Sequence, residues 1–431
     1  MFGGLWRHPS FLKLWAGQTV SLFGSRITSI ALPLAAWTIL GAGPVEVGIL
    51  GASNSAAFLL VGLFAGVWAD RLRRRPILLA ADIGRALLLL VIPAAAVTGL
   101  LRIELLYVVA AVVGVLTVFF EVAYQPFLTT LVGGDHLVEG NSKLEVSRSA
   151  ADVLGTGIAG VLVHLLTAPI AIFVDAMSFL VSAAFLGIIG EREVLPERID
   201  RRSIWSEIGE GLSAVVRSPI LRPLAFGTAV ASLFYSAVSA LYVLYLTRDL
   251  RMEAAILGLV FGLGSLGDLF GAIWAERLAV RVGLGPTIIA GILTLGLGVL
   301  LLPIAVGPAA LVVATQIAAW LLIGFGAMIY NVNAVSLRIG ITPPRLQGRV
   351  NASVRFMIWG SIPLGAILGG LIGERIGLQA MLLLAGAGLL GSAGLLMASP
   401  LHRLRVAPTP SDDTPGLEGR GRESTATATL P

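Results

Sequence analysis

Trp68-Ala69-Asp70-Arg71-Leu72 ends one long apolar run of this 431-residue chain, and Trp274-Ala275-Glu276-Arg277-Leu278 ends another about half a chain later. A pattern that returns at half the chain length marks two similar halves rather than one fold with an insertion. Each copy sets an acid–arginine pair where a hydrophobic helix would leave a bilayer, as in duplicated multi-span membrane proteins. A second repeat agrees with the first: Asn141, Leu154-Gly155 and Gly160 return as Asn351, Leu364-Gly365 and Gly370.

Composition points the same way. Apolar residues make up 56% of the chain and charged ones 13%, where soluble domains carry about 25% charge. So few charges could not cover the surface of a soluble protein of this length. The 52 glycines suit spanning helices, in which glycine is more frequent than in soluble ones. Without cysteine, disulfides, thiol catalysis and cysteine–metal sites are excluded. A net charge of +5 does not indicate nucleic acid, because the basic residues fall in short loops between apolar runs, where they set membrane topology.

A crossing helix needs about 20 mostly apolar residues. Twelve segments qualify: 15–40, 46–69, 76–99, 103–126, 142–166, 168–190, 222–246, 253–276, 284–306, 308–336, 350–374 and 378–399. Glycine and proline punctuate them, as at Gly41-Ala42-Gly43-Pro44 and Gly283-Leu284-Gly285-Pro286. With the N-terminus inside, the outer loops hold Arg102, Arg248, Arg251 and Arg375, and Arg26 and Arg85 lie within spans. The remaining basic residues are assigned to the cytoplasmic side, which places both termini there. The expected fold is an all-α polytopic membrane protein, with twelve transmembrane helices in two six-helix pseudo-symmetric halves. Residues 1–190 form the N-terminal bundle, 191–221 a cytoplasmic linker, 222–400 the C-terminal bundle and 401–431 a disordered tail with little to bury.

The stretch Gly66-Val67-Trp68-Ala69-Asp70-Arg71-Leu72-Arg73-Arg74-Arg75 resembles the loop 2–3 signature of the Major Facilitator Superfamily. Leu14-Trp15, Ser21-Leu22-Phe23-Gly24, Ala31-Leu32-Pro33, the run Phe173 to Leu180, and Gly348-Arg349-Val350 are similar to the branch holding macrolide efflux pumps and the enterobactin exporter. The resemblance covers roughly residues 10–400. It implies the superfamily's fold and a cytoplasmic gate made of Gly66, Asp70, Arg71, Arg74 and Arg75, with Glu276 and Arg277 as the second-half copy. Asp70 would sit near the start of a helix from the opposite half, where the dipole favours a carboxylate by about 0.3–1 kcal/mol. Arg73, Arg74 and Arg75 taken singly read as topology anchors. The resemblance also implies that the glycine-rich fifth helix of each half, with Gly155, Gly157 and Gly160 and with Gly365, Gly369 and Gly370, packs between the halves, since small residues let backbones approach. Thr156 stands where the antiporter motif of that helix usually has proline, so the motif does not carry an antiport assignment here.

Charges inside spans are costly, at least about 2.5–3.5 kcal/mol for an unpaired arginine. Arg26 therefore needs a cavity or a partner among Glu121, Asp152, Asp175 and Asp268. Asp82 and Arg85, three apart, can satisfy one another on one helix face. Glu121 and Asp268 are the acids best suited to loading and releasing protons, and Asp175 reads as structural. Drug–proton antiporters of the superfamily often carry an arginine in the fourth span; here that stretch reads Val112-Val113-Gly114-Val115-Leu116-Thr117. Gln18, Ser21, Asn54, Ser55, Tyr124, Gln125, Tyr235, Tyr242, Gln316, Asn331 and Asn333 are candidates for a polar lining. Such sparse fixed charge suits a large amphipathic solute, neutral or weakly charged.

The expected function is secondary active export of a hydrophobic or amphipathic small molecule, drug-like or siderophore-like, across a bacterial inner membrane by alternating access and proton antiport. Its partners are that solute, protons and the lipid bilayer, with a monomer favoured. No GxxxxGK[ST] loop is present, so no nucleotide is the direct energy source. His8, His136, His164 and His402 are scattered, so no catalytic set, metal site or cofactor is expected. An importer or facilitator of a small metabolite, and a non-transporting sensor, are the alternatives.

Overall fold

The computed structural model describes residues 4–69, 72–133, 136–190 and 204–406. Among them are 12 helices long and apolar enough to cross a membrane. In the first half these are α1 Pro9–Leu40, α2 Pro44–Ala69, α3 Arg74–Val97, α4 Ile103–Val132, α5 Leu137–Leu166 and α6 Ala168–Gly187. The second half has α7 Leu221–Asp249, α8 Ala254–Val282, α9 Leu284–Ile304, α10 Ala309–Ile341, α11 Pro344–Ile376 and α12 Leu378–Met397.

Each helix matches one expected span, but several run past the apolar stretch that marked them. Hydropathy locates the lipid-crossing part, whereas capping groups decide where a helix stops. α1 begins at Pro9, with His8 Nδ1 accepting the N–H of Phe11 at 3.2 Å, and proline suits a first turn because its missing N–H is not needed there. The same helix ends at Gly41, whose φ of 65° and N–H bond to Trp37 O at 3.0 Å form a left-handed cap.

The two halves repeat one packing plan. In the first, α1 lies on α6, α3 on α4 and α6, and α2 on α4; in the second, α7 lies on α12, α9 on α10 and α12, and α8 on α10. The halves meet along two seams, α2 against α11 and α5 against α8, so each fifth helix touches the second helix of the other half. Leucine, valine and isoleucine side chains project around the outside, the surface that lipid tails would cover.

Both seams are tight at the end of the bundle away from the chain termini. A methyl added at Gly370 would come within 2.7 Å of Pro44 O and 3.1 Å of Val45 Cα, and one at Gly258 within 2.7 Å of Gly157 O and 3.1 Å of Gly160 Cα. Arg248 of α7 lies over the Trp37 ring of α1 at 5.8 Å, and His164 and Glu253 approach to 3.9 Å. Gly258→Leu is expected to wedge α5 from α8. Overpacking of this kind typically costs about 1–3 kcal/mol and is read as a lower thermal midpoint of the purified protein. Gly391→Leu, where a methyl meets nothing within 4 Å, should leave the midpoint in place.

The connector between the halves includes the helix Ile204–Arg217, which lies on α11 through Val215, Leu346 and Val350. The expected disordered tail does not start at residue 401. Pro400–Arg403 form a turn, and the carbonyls of Leu404 and Arg405 accept the N–H groups of Gly285 and Leu284 at 2.8 and 3.1 Å. Those bonds satisfy donors at the start of α9 that would otherwise be bare. Residues 407–431 lie outside the described residues, as do 191–203 of the expected linker.

Candidate functional site

Between the halves lies a cavity of about 1510 Å³, lined by α1, α2, α4 and α5 and by α11 from the other half. It reaches Asn141, Ser142 and Glu145 at the start of α5 and Arg345 and Gly348 at the start of α11. These positions mark the end of the bundle that carries both termini, so the cavity opens there while the far end is closed by the seams. Gln18, Ser21, Tyr124 and Gln125 of the expected polar lining are part of its wall. Tyr242, Gln316 and Asn333 instead tie the second half together: Tyr242 donates to Gln316 at 2.9 Å, and Asn333 donates to Ala275 O at 3.2 Å.

Two charge pairs stand at the deep end. Arg85 pairs with Asp82 one turn away on α3, and its guanidinium lies between the rings of Phe120 at 4.5 Å and Phe179 at 4.2 Å. Ion pair and rings together hold a charge that lipid would not tolerate. Arg26 pairs with Asp152, which selects one acid from the four that sequence offered. Asp175 is buried, accepts from Ser178 Oγ at 3.1 Å and faces α1 at Gly24.

Asp152 and Asp268 occupy irregular turns that face each other across a seam. Asp152 belongs to the π-helical turn Ala151–Gly155, a local widening frequent at functional positions. α8 is interrupted at Ser265, between Ala254–Gly264 and Leu266–Val282, and Asp268 lies in the first turn after the break. A methyl at Gly262 would meet Val153 O at 3.2 Å, which sets the break beside the π turn. The Asp268 carboxyl rests on α10 at Gly324, and the charges of Arg26 and Asp152 act on it from the other half.

Toward the open end the wall differs from expectation. Besides Arg26 and Arg85 it carries Arg148, Arg345, Arg349 and Arg355, against Glu121 and Glu145. The lining is rich in fixed charge, with arginine predominant. Arg345 and Arg349 are engaged by Glu210 of the surface helix, and Arg148 by Glu145 at 3.7 Å. Arg355 lies over the Trp359 ring at 4.6 Å, and Trp359 meets Phe58 of α2 edge-on at 4.0 Å. Glu121 is exposed to the cavity, where the charges of Arg148, Arg355 and Arg85 act on it. Arg148 and Arg355 fall inside expected spans 5 and 11 and line the cavity, not the cytoplasmic segments to which the arginine bias assigns them. The signal was present: an arginine inside an apolar segment marks an aqueous cavity or a partner.

The expected gate is described only in part. Asp70 and Arg71 lie outside the described residues, as does the surroundings of Gly66. Arg74 donates to Thr130 at 3.2 Å, and Arg75 to Leu186 O at 3.0 Å; these bonds tie α3 to α4 and α6 of the same half. Glu276 and Arg277 are exposed, with Arg277 over the Trp274 ring at 5.7 Å. The six glycines divide. Gly157, Gly160 and Gly370 lie against the opposite half, whereas Gly155 meets Arg26 and Phe23, Gly365 meets Leu233 and Ser236, and Gly369 meets Ala237. The last three pack within their own half because a fifth helix has a first helix on its other side.

The family model described as transmembrane secretion effector matches residues 4–418. Multidrug efflux pump Tap of Mycolicibacterium fortuitum is 27% identical over 88% of this chain and 92% of its own length. Tap of Mycobacterium tuberculosis is 25% identical over 95% and 98%, and the MFS-type transporter YfiS of Bacillus subtilis 24% identical over 87% and 89%. Among solved structures, the nucleoside transporter NupG aligns with a TM-score of 0.74 at 12% identity over 90% of this chain and 98% of that one. A bacterial homologue of ferroportin in its inward-facing state aligns at 0.73 and 18% identity over 90% and 98%. At such identities these structures speak for the fold alone.

Proposed function

Because the chain belongs to the transmembrane secretion effector family of the Major Facilitator Superfamily, we propose that this transporter exports a bulky amphipathic small molecule from a bacterial cell in exchange for protons. One observation carries the reading: a roomy cavity between the halves reaches one end of the bundle, while both inter-half seams are closed at the other. The arginine bias of the loops supports a cytoplasmic position for that open end, from which the solute would load. Rocking of the halves along α2/α11 and α5/α8 would close this end and part the far seams. The relatives named multidrug efflux pumps support the outward direction and a broad substrate range.

The coupling step is assigned to the cluster at the irregular turns. Arg26 is held by Asp152 in the state open toward the termini, and Asp268 waits across the seam. A proton taken up by one carboxyl frees the guanidinium for the other, and the exchange biases which seam is closed. The arginine-rich wall revises the solute expected from sequence toward one that carries an acceptor or acidic group.

Everted membrane vesicles test the reading. Vesicles energised by respiration should accumulate a fluorescent amphipathic dye in a manner dependent on this protein, and a protonophore should stop it. Accumulation that persists after the proton gradient has collapsed would exclude proton exchange. Dye movement in the opposite sense would exclude export.

A further inference from the structure

We propose that a side pocket of the second half is an anion subsite, which takes the acidic group of an amphipathic aromatic solute whose apolar body lies in the central cavity. The pocket, about 420 Å³, lies between α7, α10 and α11, and its wall includes Thr228, Tyr330, Arg338, Asn351, Arg355 and Trp359. Arg355 and Trp359 also line the central cavity, so the two spaces share one wall. The assignment rests on the transport reading above, which made the central cavity the solute's path.

Unmet polar groups point to the ligand. Arg338 Nε is buried and has no hydrogen-bond partner, and Asn351 Oδ1 is in the same condition. Buried polar groups are nearly always paired, so each exception calls for a partner that the chain does not supply. Among the described residues neither Arg338 nor Arg355 has a carboxylate at ion-pair distance, although their charges act on one another. The two guanidinium groups repel, Glu121 acts on Arg355 only from the central cavity, and an oxyanion between the arginines removes that repulsion while accepting their N–H donors.

The remaining wall fits the rest of such a ligand. Thr228 donates its hydroxyl proton to Leu224 O at 2.6 Å and so accepts from Tyr330, which leaves the guanidinium groups as the donors to the anion. The Asn351 amide, turned end for end, presents Nδ2 to the same point. Trp359, flanked by Arg355 and Phe58, offers an aromatic face where the solute would cross from the side pocket into the central cavity. The sequence offers Asn331 as one candidate for a polar lining and leaves Arg338 among the basic residues assigned to the cytoplasmic side. Only the packing of α10 on α7 and α11 turns both helices' arginines into one pocket.

The test compares two dyes on the full chain in phosphatidylcholine nanodiscs, with empty discs subtracted. Anilinonaphthalene sulfonate and phenylnaphthylamine share a ring system, and only the first carries an acid. The sulfonate is expected to bind at least about tenfold more tightly, the margin of a charge-assisted contact. Arg338→Gln should bring the ratio of dissociation constants to within about threefold, and Arg355→Gln, read independently should the first variant fail to fold, should do the same. A wild-type ratio near one, or a ratio kept in either folded variant, overturns the proposal. So does loss of the preference when phosphatidylglycerol is added, because a lipid headgroup would then be the occupant. Vesicle transport is scored separately: failed efflux with an intact ratio removes the export reading alone, and a ratio near one with intact efflux removes the subsite alone.

Discussion

Asp82→Ala is expected to destabilise this transporter by about 3–5 kcal/mol, the cost of removing one partner from a buried ion pair. The side chains of Arg85 and Asp82 are only 7% and 0% exposed, so solvent does little to screen the loss. The Phe120 and Phe179 rings at 4.5 and 4.2 Å would still attract the stranded guanidinium but could not neutralise it. Substituting both residues, as Asp82→Leu with Arg85→Met, should recover most of the stability, since apolar replacement of a buried pair is often neutral or favourable by about 1–4 kcal/mol. Yield and thermal midpoint of the purified variants report this. A single variant as stable as wild type would show that the pair does not hold the first half together. If the double variant is stable yet inactive, Arg85 serves the cavity it lines rather than the fold.

Asp268→Asn is expected to lower proton-driven export by at least about tenfold, equivalent to about 1.4 kcal/mol. The amide keeps the shape of the side chain against Gly324 but cannot release a proton. Exchange of labelled for unlabelled solute at equal concentrations needs no net proton movement and should fall far less. Asp152→Asn should impair both processes, because it also strips Arg26 of the partner it has in this state. Full proton-driven efflux by a folded Asp268→Asn variant would take that residue out of the coupling step. The contrast between the two variants separates a residue that carries protons from one that holds a helix.

The twelve crossings were legible because hydropathy is a local property that adds along the chain, and the duplication because repeats are read at a fixed offset. Ends were less legible: α1 reaches back to Pro9 and α11 to Pro344, since a helix outlasts the lipid that selects its centre. At the site, the rule that an intramembrane charge needs a partner points to Arg26 and to Asp82 with Arg85 but leaves four acids open for Arg26, and the packing sets Asp152 beside it. Arg148 and Arg355 obey the same rule, since each lies inside an apolar segment and lines the cavity, which makes the wall richer in fixed charge than uncharged polar groups alone would. Among the glycines, Gly157 and Gly160 face the other half while Gly155, on the same helix, faces Arg26.

By itself the chain determined its class, its number of crossings and the residues too polar to face lipid, because each follows from the cost of placing a side chain at a given depth in a bilayer. The tertiary structure decided which neighbour each of those residues meets. That choice depends on how every helix is rotated about its own axis and on which pair of helices shares a seam. Arg26 found Asp152 rather than Glu121, and Arg338 came to share a pocket with Arg355. Depth is written along the sequence, whereas facing is fixed only when the two halves pack.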